Sequence, residues 1–251
     1  MWPLSIVSGL LIEGGLVDNG PLLRYLTDQL YNFPEGAKRR ISLGAVNVET
    51  GEFEVFDQTN TAFQDFPRAA VASSSTPGVF PPHVWKGRGI FMDGGTVYNT
   101  NMTSAIQQCL DMVDDETKIT IDLMVCSPPD TPPVIDDPAK TIGNVLRSRN
   151  IHKDYSGTNN IMDDIRAHPN INYRYLVYET ENKASGISEI EFEGEKTWVM
   201  QETGRKDAQD SVTDGAGANF EVLKTWSAST ELKKEFPRFR DYLISIKEGN
   251  K

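Results

Sequence analysis

The run Gly89-Ile90-Phe91-Met92 ends abruptly in Asp93-Gly94-Gly95, and no other stretch restricts the fold of this chain so strongly. A short apolar strand that stops at an aspartate sets a carboxylate at the carboxyl edge of a sheet, where α/β folds gather their ligands. The two glycines behind it allow unusual backbone angles and let a substrate or another segment come close. A partly desolvated aspartate held there can act as general base toward a hydroxyl nucleophile. Asp-Gly is also among the commonest turn pairs, and on that pair alone a plain turn is the readier reading.

The surroundings change the balance. Pro21–Leu30 has apolar residues at 22, 23, 26 and 30, a helical spacing that Asp18 or Asn19 can cap. Ile41–Asn47 and Glu52–Phe56 read as strands, joined as a hairpin through Glu49-Thr50-Gly51. Phe66–Ser74 predicts a short alanine-rich helix that stops near Pro77. Thr103–Val113 suits a helix, and Ile119–Cys126 a strand buried on both faces. Ser127–Pro138 holds five prolines and reads as a loop. Ile142–Arg166 is expected to be helical with a break around Tyr155–Asn160, and Asn172–Tyr178 to be a strand. Glu189–Glu193 and Lys196–Gln201 read as two further strands, Gly204–Asn219 as a polar loop, and Phe220–Ile246 as a helix broken at Pro237. Strands and helices alternate from about residue 40 onward, which points to a layered α/β fold. There is no internal repeat and no clear linker between two domains.

Two segments in order carry a resemblance: Ala69-Ala70-Val71-Ala72-Ser73-Ser74-Ser75-Thr76-Pro77-Gly78-Val79-Phe80-Pro81-Pro82, then Gly89 through Asn101 with Asp93-Gly94-Gly95. This arrangement resembles the patatin-like phospholipase family around its catalytic Asp-Gly-Gly or Asp-Gly-Ala motif. Gly15-Leu16-Val17-Asp18-Asn19-Gly20-Pro21-Leu22-Leu23 is similar to the family's approach to the helix after its nucleophile region. Arg40–Phe56, with Gly44, Asn47 and Gly51, is similar to its central hairpin. The resemblance is strongest over 9–127, with 128–251 read as a carboxyl-terminal extension of one incomplete domain spanning 1–251. It implies a three-layer α/β/α patatin-like fold and a lipid acyl hydrolase using a serine–aspartate dyad without histidine. Asp93 matches the catalytic aspartate, and Gly94 and Gly95 the rest of that motif. The implied substrate is a phospholipid or other acyl ester, with no cofactor and no metal.

The family's serine sits on a G-x-S-x-G elbow, and its oxyanion donors on a glycine-rich loop, which stabilise charge on the ester carbonyl. Neither pattern occurs in these 251 residues. Gly186-Ile187-Ser188 comes nearest, but Ile190 stands in place of the second glycine and the segment lies after Asp93. The resemblance therefore implies that the amino-terminal strand, oxyanion loop and elbow are missing. On that expectation this chain keeps the aspartate half of the dyad and is inactive alone. The alternative is a catalytically dead patatin-like protein that binds lipid or a partner protein. Ser73, Ser74 and Ser75 match a structural turn, and a second Asp-Gly-Ala at 214–216 follows no apolar strand. Asn99 and Asn101 can hydrogen-bond near the aspartate or cap the helix starting at Thr103.

Composition removes other classes. A formal net charge of −11 opposes a nucleic-acid surface, and the densest basic run is only Lys38-Arg39-Arg40. Cys109 and Cys126 set up no disulfide framework. His83, His152 and His168 form no H-x-x-x-H pair, and His83 reads as a packing or surface residue. No glycine-rich nucleotide loop occurs. No run reaches the roughly 18 apolar residues of a membrane span, and the first basic residue, Arg24, comes too late for a secretory signal. The sequon Asn101-Met102-Thr103 reads as a chance match. The expectation is a soluble, cytoplasmic protein with peripheral membrane contact left open.

Overall fold

The computed structural model describes residue 15 and residues 17–126, 141–180 and 194–249. They fall in two compact units, 1–108 and 109–251, with mixed α/β content. The expected proline-rich loop at Ser127–Pro138 and strand at Glu189–Glu193 lie outside the described residues.

In the first unit, helix α1 (Gly20–Leu30) leads into strand β1 (Ser42–Asn47) and β2 (Phe53–Asp57). Helix α2 (Phe66–Ser74) follows, then β3 (His83–Trp85) and β4 (Gly89–Asp93). The four strands form one antiparallel sheet in the order β2-β1-β4-β3. The β1–β2 hairpin turns where expected, with Gly51 at a φ of +76°. Helix α2 has the expected bounds and packs on the sheet through small residues: Ala69 and Ala72 meet Ala45, Phe56, Trp85 and Phe91 in one buried cluster. Alanine at the contact lets helix and sheet approach closely, and three aromatic rings fill the remaining volume. Phe56 lies 5.3 Å from both Trp85 and Phe91, and the Arg88 guanidinium covers Phe56 at 4.8 Å.

Helix α3 (Met102–Val113) spans the boundary between the units. In the second unit, β5 (Thr120–Val125) and β6 (Asn172–Tyr178) pair in parallel. Strand β5 is not buried on both faces: Thr120, Asp122 and Met124 are exposed while Ile121 is buried. Asp122 explains the alternation, because its carboxylate pairs with Arg174 of β6 on the open side.

Helix α4 (Thr141–Ala167) is continuous, without the break expected around Tyr155–Asn160. Gly, Ser and Asn are weak helix formers there, but Thr158, Ile161, Met162 and Ile165 are buried on one helical face. Tertiary burial overrides the local preference. Residues 196–201 and 204–214 also depart from expectation, both being part of helix α5 (Gly194–Asp214). Its inward positions Asp207 and Ser211 are polar and buried, so no apolar stripe advertises the helix. The Ser211 hydroxyl donates to the Leu176 carbonyl at 3.1 Å, and Asn219 donates to the same carbonyl at 3.0 Å. The tail forms three helices, α6 (Ala218–Ala228), α7 (Thr230–Glu235) and α8 (Phe239–Gly249). The break at Pro237 is as expected. The additional break comes at Ser229, whose hydroxyl accepts from the Leu232 N–H as an N-cap.

Candidate active site

Asp93 is the last residue of β4 and pairs with Ala45 of β1. Side chains alternate along a strand, so Asp93 shares a sheet face with Phe91, the face that α2 covers. Its carboxylate therefore points toward the carboxyl end of α2 and meets the residues that follow it. Oδ2 accepts from the Thr76 hydroxyl at 2.8 Å, and Oδ1 accepts from the Gly95 N–H at 2.8 Å. The Asp93 N–H in turn donates to the Ser75 carbonyl at 3.0 Å. That bond satisfies a carbonyl left open where the helix ends. Two hydrogen bonds thus fix one half-buried carboxylate and a third fixes its backbone, and the remaining carboxylate lone pairs are available for another donor.

The glycines have separate duties. Gly94 is buried against β1: a Cβ there would stand 2.4 Å from the Gly44 carbonyl oxygen. Gly95 supplies the N–H that holds Asp93, and a Cβ on it would meet Asn99 Oδ1 at 2.7 Å. Gly94 excludes a side chain because its obstacle is backbone, whereas at Gly95 the obstacle is the end of the Asn99 side chain; neither position needs a left-handed backbone. A single 3-10 turn (Gly94–Thr96) follows, closed by the Val97 N–H donating to the Gly94 carbonyl at 3.0 Å, and the Tyr98 N–H donates to the same carbonyl at 2.9 Å.

A further layer holds Ser75 and the loop after α2. Asn19 Nδ2 donates to Ser75 Oγ at 3.0 Å and to the Pro81 carbonyl at 3.3 Å. Ser75 Oγ donates to the Val71 carbonyl at 2.7 Å. The Ser74 hydroxyl is likewise bound within α2, to the Ala70 carbonyl at 2.9 Å. Asn19 stands at the start of α1 but makes no side-chain cap; Asp18 accepts from the Gly20 N–H instead. Asn101 resolves toward capping, since its Oδ1 accepts from the Ser104 N–H and hydroxyl of α3. The second Asp-Gly-Ala forms the turn between α5 and α6, with Gly215 at a φ of +99°.

His83 is buried beside Trp85, and its Nε2 has no hydrogen-bond partner among the described residues. Burial, with the charge of Arg68 adding to it, holds its pKa below the ordinary histidine value. Among the described residues, no cluster of three His, Cys, Asp or Glu side chains could hold a metal ion, and no helix is long and apolar enough to cross a membrane.

Thr76, Asn19 and the Gly44–Gly94 contact were not legible as site features. Thr76 and Asn19 lie within the segments that carry the resemblance, but their partners are 17 and 56 residues away.

Residues 1–106 match the patatin-like phospholipase family, whose members act on lipid esters. The match ends within α3, short of the 127 that the resemblance reached, and it contains Asp93, Gly94 and Gly95. No curated protein matches the chain.

Proposed function

We propose that Asp93 is the general base of a patatin-like serine–aspartate dyad and that this chain supplies the aspartate half of a lipid acyl hydrolase site. The observation that carries the reading is the double anchoring of a half-buried carboxylate by Thr76 and Gly95, at a strand end inside the matched region. Such a carboxylate is oriented before substrate arrives. In the reaction it takes the proton of a serine hydroxyl as the serine oxygen attacks the ester carbonyl, and returns it to the leaving alkoxide. Asp93 retains acceptor capacity for that proton.

The serine and its oxyanion donors are outside this reading of the chain, because no G-x-S-x-G occurs in it. Ser74 and Ser75 hydroxyls are engaged with helix carbonyls. A lone base gives little acyl transfer without nucleophile and oxyanion hole. The 251-residue chain is therefore inactive by itself, and binding of lipid or of a partner protein without turnover is the second reading that this absence favours.

The test is ester hydrolysis by the intact chain and by Asp93→Asn, together with the same substitution in any longer product of the reading frame that contains a G-x-S-x-G. No turnover by the short chain, and loss of turnover on Asp93→Asn in the long one, is the expected result. Turnover that survives Asp93→Asn removes the assignment. Turnover by the short chain that Asp93→Asn abolishes keeps the base and refutes the inactivity.

A further inference from the structure

The connection between α1 and β1 surrounds an open cavity of about 650 Å³. That volume falls in the range of small-molecule sites, about 300–1,000 Å³. Leu30, Phe33, Ala37, Ile41 and Phe63 give it apolar walls. The walls are held by turns: the Phe33 N–H donates to the Leu30 carbonyl at 2.9 Å and the Gly36 N–H to the Phe33 carbonyl at 3.0 Å. Gly36 bends back at a φ of +80° and faces the Phe63 ring, 3.9 Å from where its Cβ would lie. Phe33 is left 57% exposed over this hollow. A preformed apolar hollow costs its ligand little ordering.

Two cations, Lys38 and Arg39, and one carboxylate, Glu35, line the same cavity. Lys38 is engaged, among the described residues, in a solvent-exposed pair with Glu35 at 3.7 Å, a kind of pair that contributes little. Among the described residues, the Arg39 side chain has no hydrogen bond or ion pair. Glu35 offsets Lys38, so in a chain of net charge −11 the lining carries an excess of one positive charge, on Arg39, beside an apolar surface.

We infer that this cavity binds one long-chain fatty acid, with the alkyl chain along Leu30, Phe33, Ala37, Ile41 and Phe63 and the carboxylate on Arg39. A guanidinium takes a carboxylate through two parallel N–H···O bonds, and an alkyl chain needs an apolar wall without polar demands. The site is separate from Asp93. Ile41 precedes Ala45, the register partner of Asp93, by four residues, about 13 Å along a strand. None of the residues that contact the Asp93 carboxylate lines the cavity. The inference is independent of the dyad and goes beyond it.

The experiment titrates the intact chain with a dansyl-labelled long-chain fatty acid below its aggregation concentration, then displaces it with the unlabelled acid or its methyl ester. Ala37→Trp fills the hollow from an exposed position, and Arg39→Glu reverses the charge. Circular dichroism and thermal melting of each variant report whether it remains folded. Binding of one equivalent is expected, weakened at least about tenfold by Ala37→Trp and about fivefold or more by Arg39→Glu. The methyl ester should compete no better with the parent chain than the acid does with Arg39→Glu. Hydrogen exchange should slow in residues 29–41 on binding. Absence of saturable binding, parent-like affinity in folded Ala37→Trp, or slowed exchange only elsewhere overturns the inference. An ester that competes as well as the acid overturns the role of Arg39.

Discussion

Gly94→Ala should displace the base without touching it. The added methyl would stand 2.4 Å from the Gly44 carbonyl oxygen and 2.7 Å from its carbonyl carbon. Both obstacles are backbone of the neighbouring strand, so no rotamer relieves them. Restoring an ordinary contact of 3.4 Å requires 3.4 − 2.4 = 1.0 Å of separation between the end of β4 and β1. The separation falls beside the Ala45–Asp93 register pair. A shift of that size weakens a ladder hydrogen bond, worth about 1 kcal/mol, and adds strain of about 1–2 kcal/mol in the lower range for overpacking. The sum is about 2–3 kcal/mol. Gly44→Ala is the control, because its Cβ would strike the far end of the Phe53 ring at 2.3 Å. That ring can swing away and loses only its edge-to-face contact with Tyr98, about 1 kcal/mol. Hydrogen exchange of peptides from β1 and β4 reads both, since each 1.4 kcal/mol of opening free energy is about tenfold in rate. Gly94→Ala should exchange roughly 30- to 140-fold faster than the parent and Gly44→Ala within about fivefold. An equal effect of the two variants, or a Gly94→Ala that exchanges like the parent, refutes the packing argument.

Thr76→Val removes the donor to Asp93 Oδ2 and should destabilise the first unit by about 1 kcal/mol, while Thr76→Ser restores most of it; equal melting of the two variants would exclude the hydroxyl as the cause. His83 has a depressed pKa, so its contribution is present above pH 6.5 and is lost as pH falls through the lower folded value. His83→Phe, which leaves no buried nitrogen to protonate, should flatten that acid-side loss in a series of thermal melts. Tyr173 has its pKa pushed up to about 12 by burial and then by the charges of Asp164 and Glu116. The neutral phenol therefore stabilises the second unit fully below pH 10.0, and the contribution is lost as pH rises toward 12. Tyr173→Phe should abolish that alkaline loss, and an unchanged pH profile would show that another group causes it.

Legibility followed the source of each element's stability. Strands β1, β2, β4 and β6 and helices α2 and α3 were readable to within a residue or so, because their apolar residues make the contacts that hold them. Phe91 lies in a run that is both strand-like in sequence and buried in the structure. Helix α5 was not readable, since Asp207 and Ser211 face inward and are held by polar contacts to Thr180 and Leu176. A periodicity search counts those positions as solvent-facing. Helix α4 was readable over Ile142–Arg166, and only its expected break was wrong: the local residues discourage a helix around Tyr155–Asn160, and burial of Thr158, Ile161 and Ile165 imposes one. Asp122 broke the expectation of a doubly buried β5, a warning that was visible in the apolar run itself.

The aspartate was legible and its support was not, because the support is distributed over segments that sequence order keeps apart. Asp93 draws one hydrogen bond from Gly95, two residues on, and another from Thr76, 17 residues back. The first follows from the Asp-Gly-Gly string, while the second exists only once β4 runs back along α2. Ser75, which binds the Asp93 N–H, is itself held by Asn19 from a third segment. The backbone carbonyl of Gly44, 50 residues back, leaves no space for a side chain at Gly94, so the steric requirement on the motif is set by a neighbouring strand. The motif names the carboxylate, but its direction is set by Asn19, Ser75 and Thr76 together. A substitution at any of the three can therefore misaim Asp93 while leaving the Asp-Gly-Gly sequence intact.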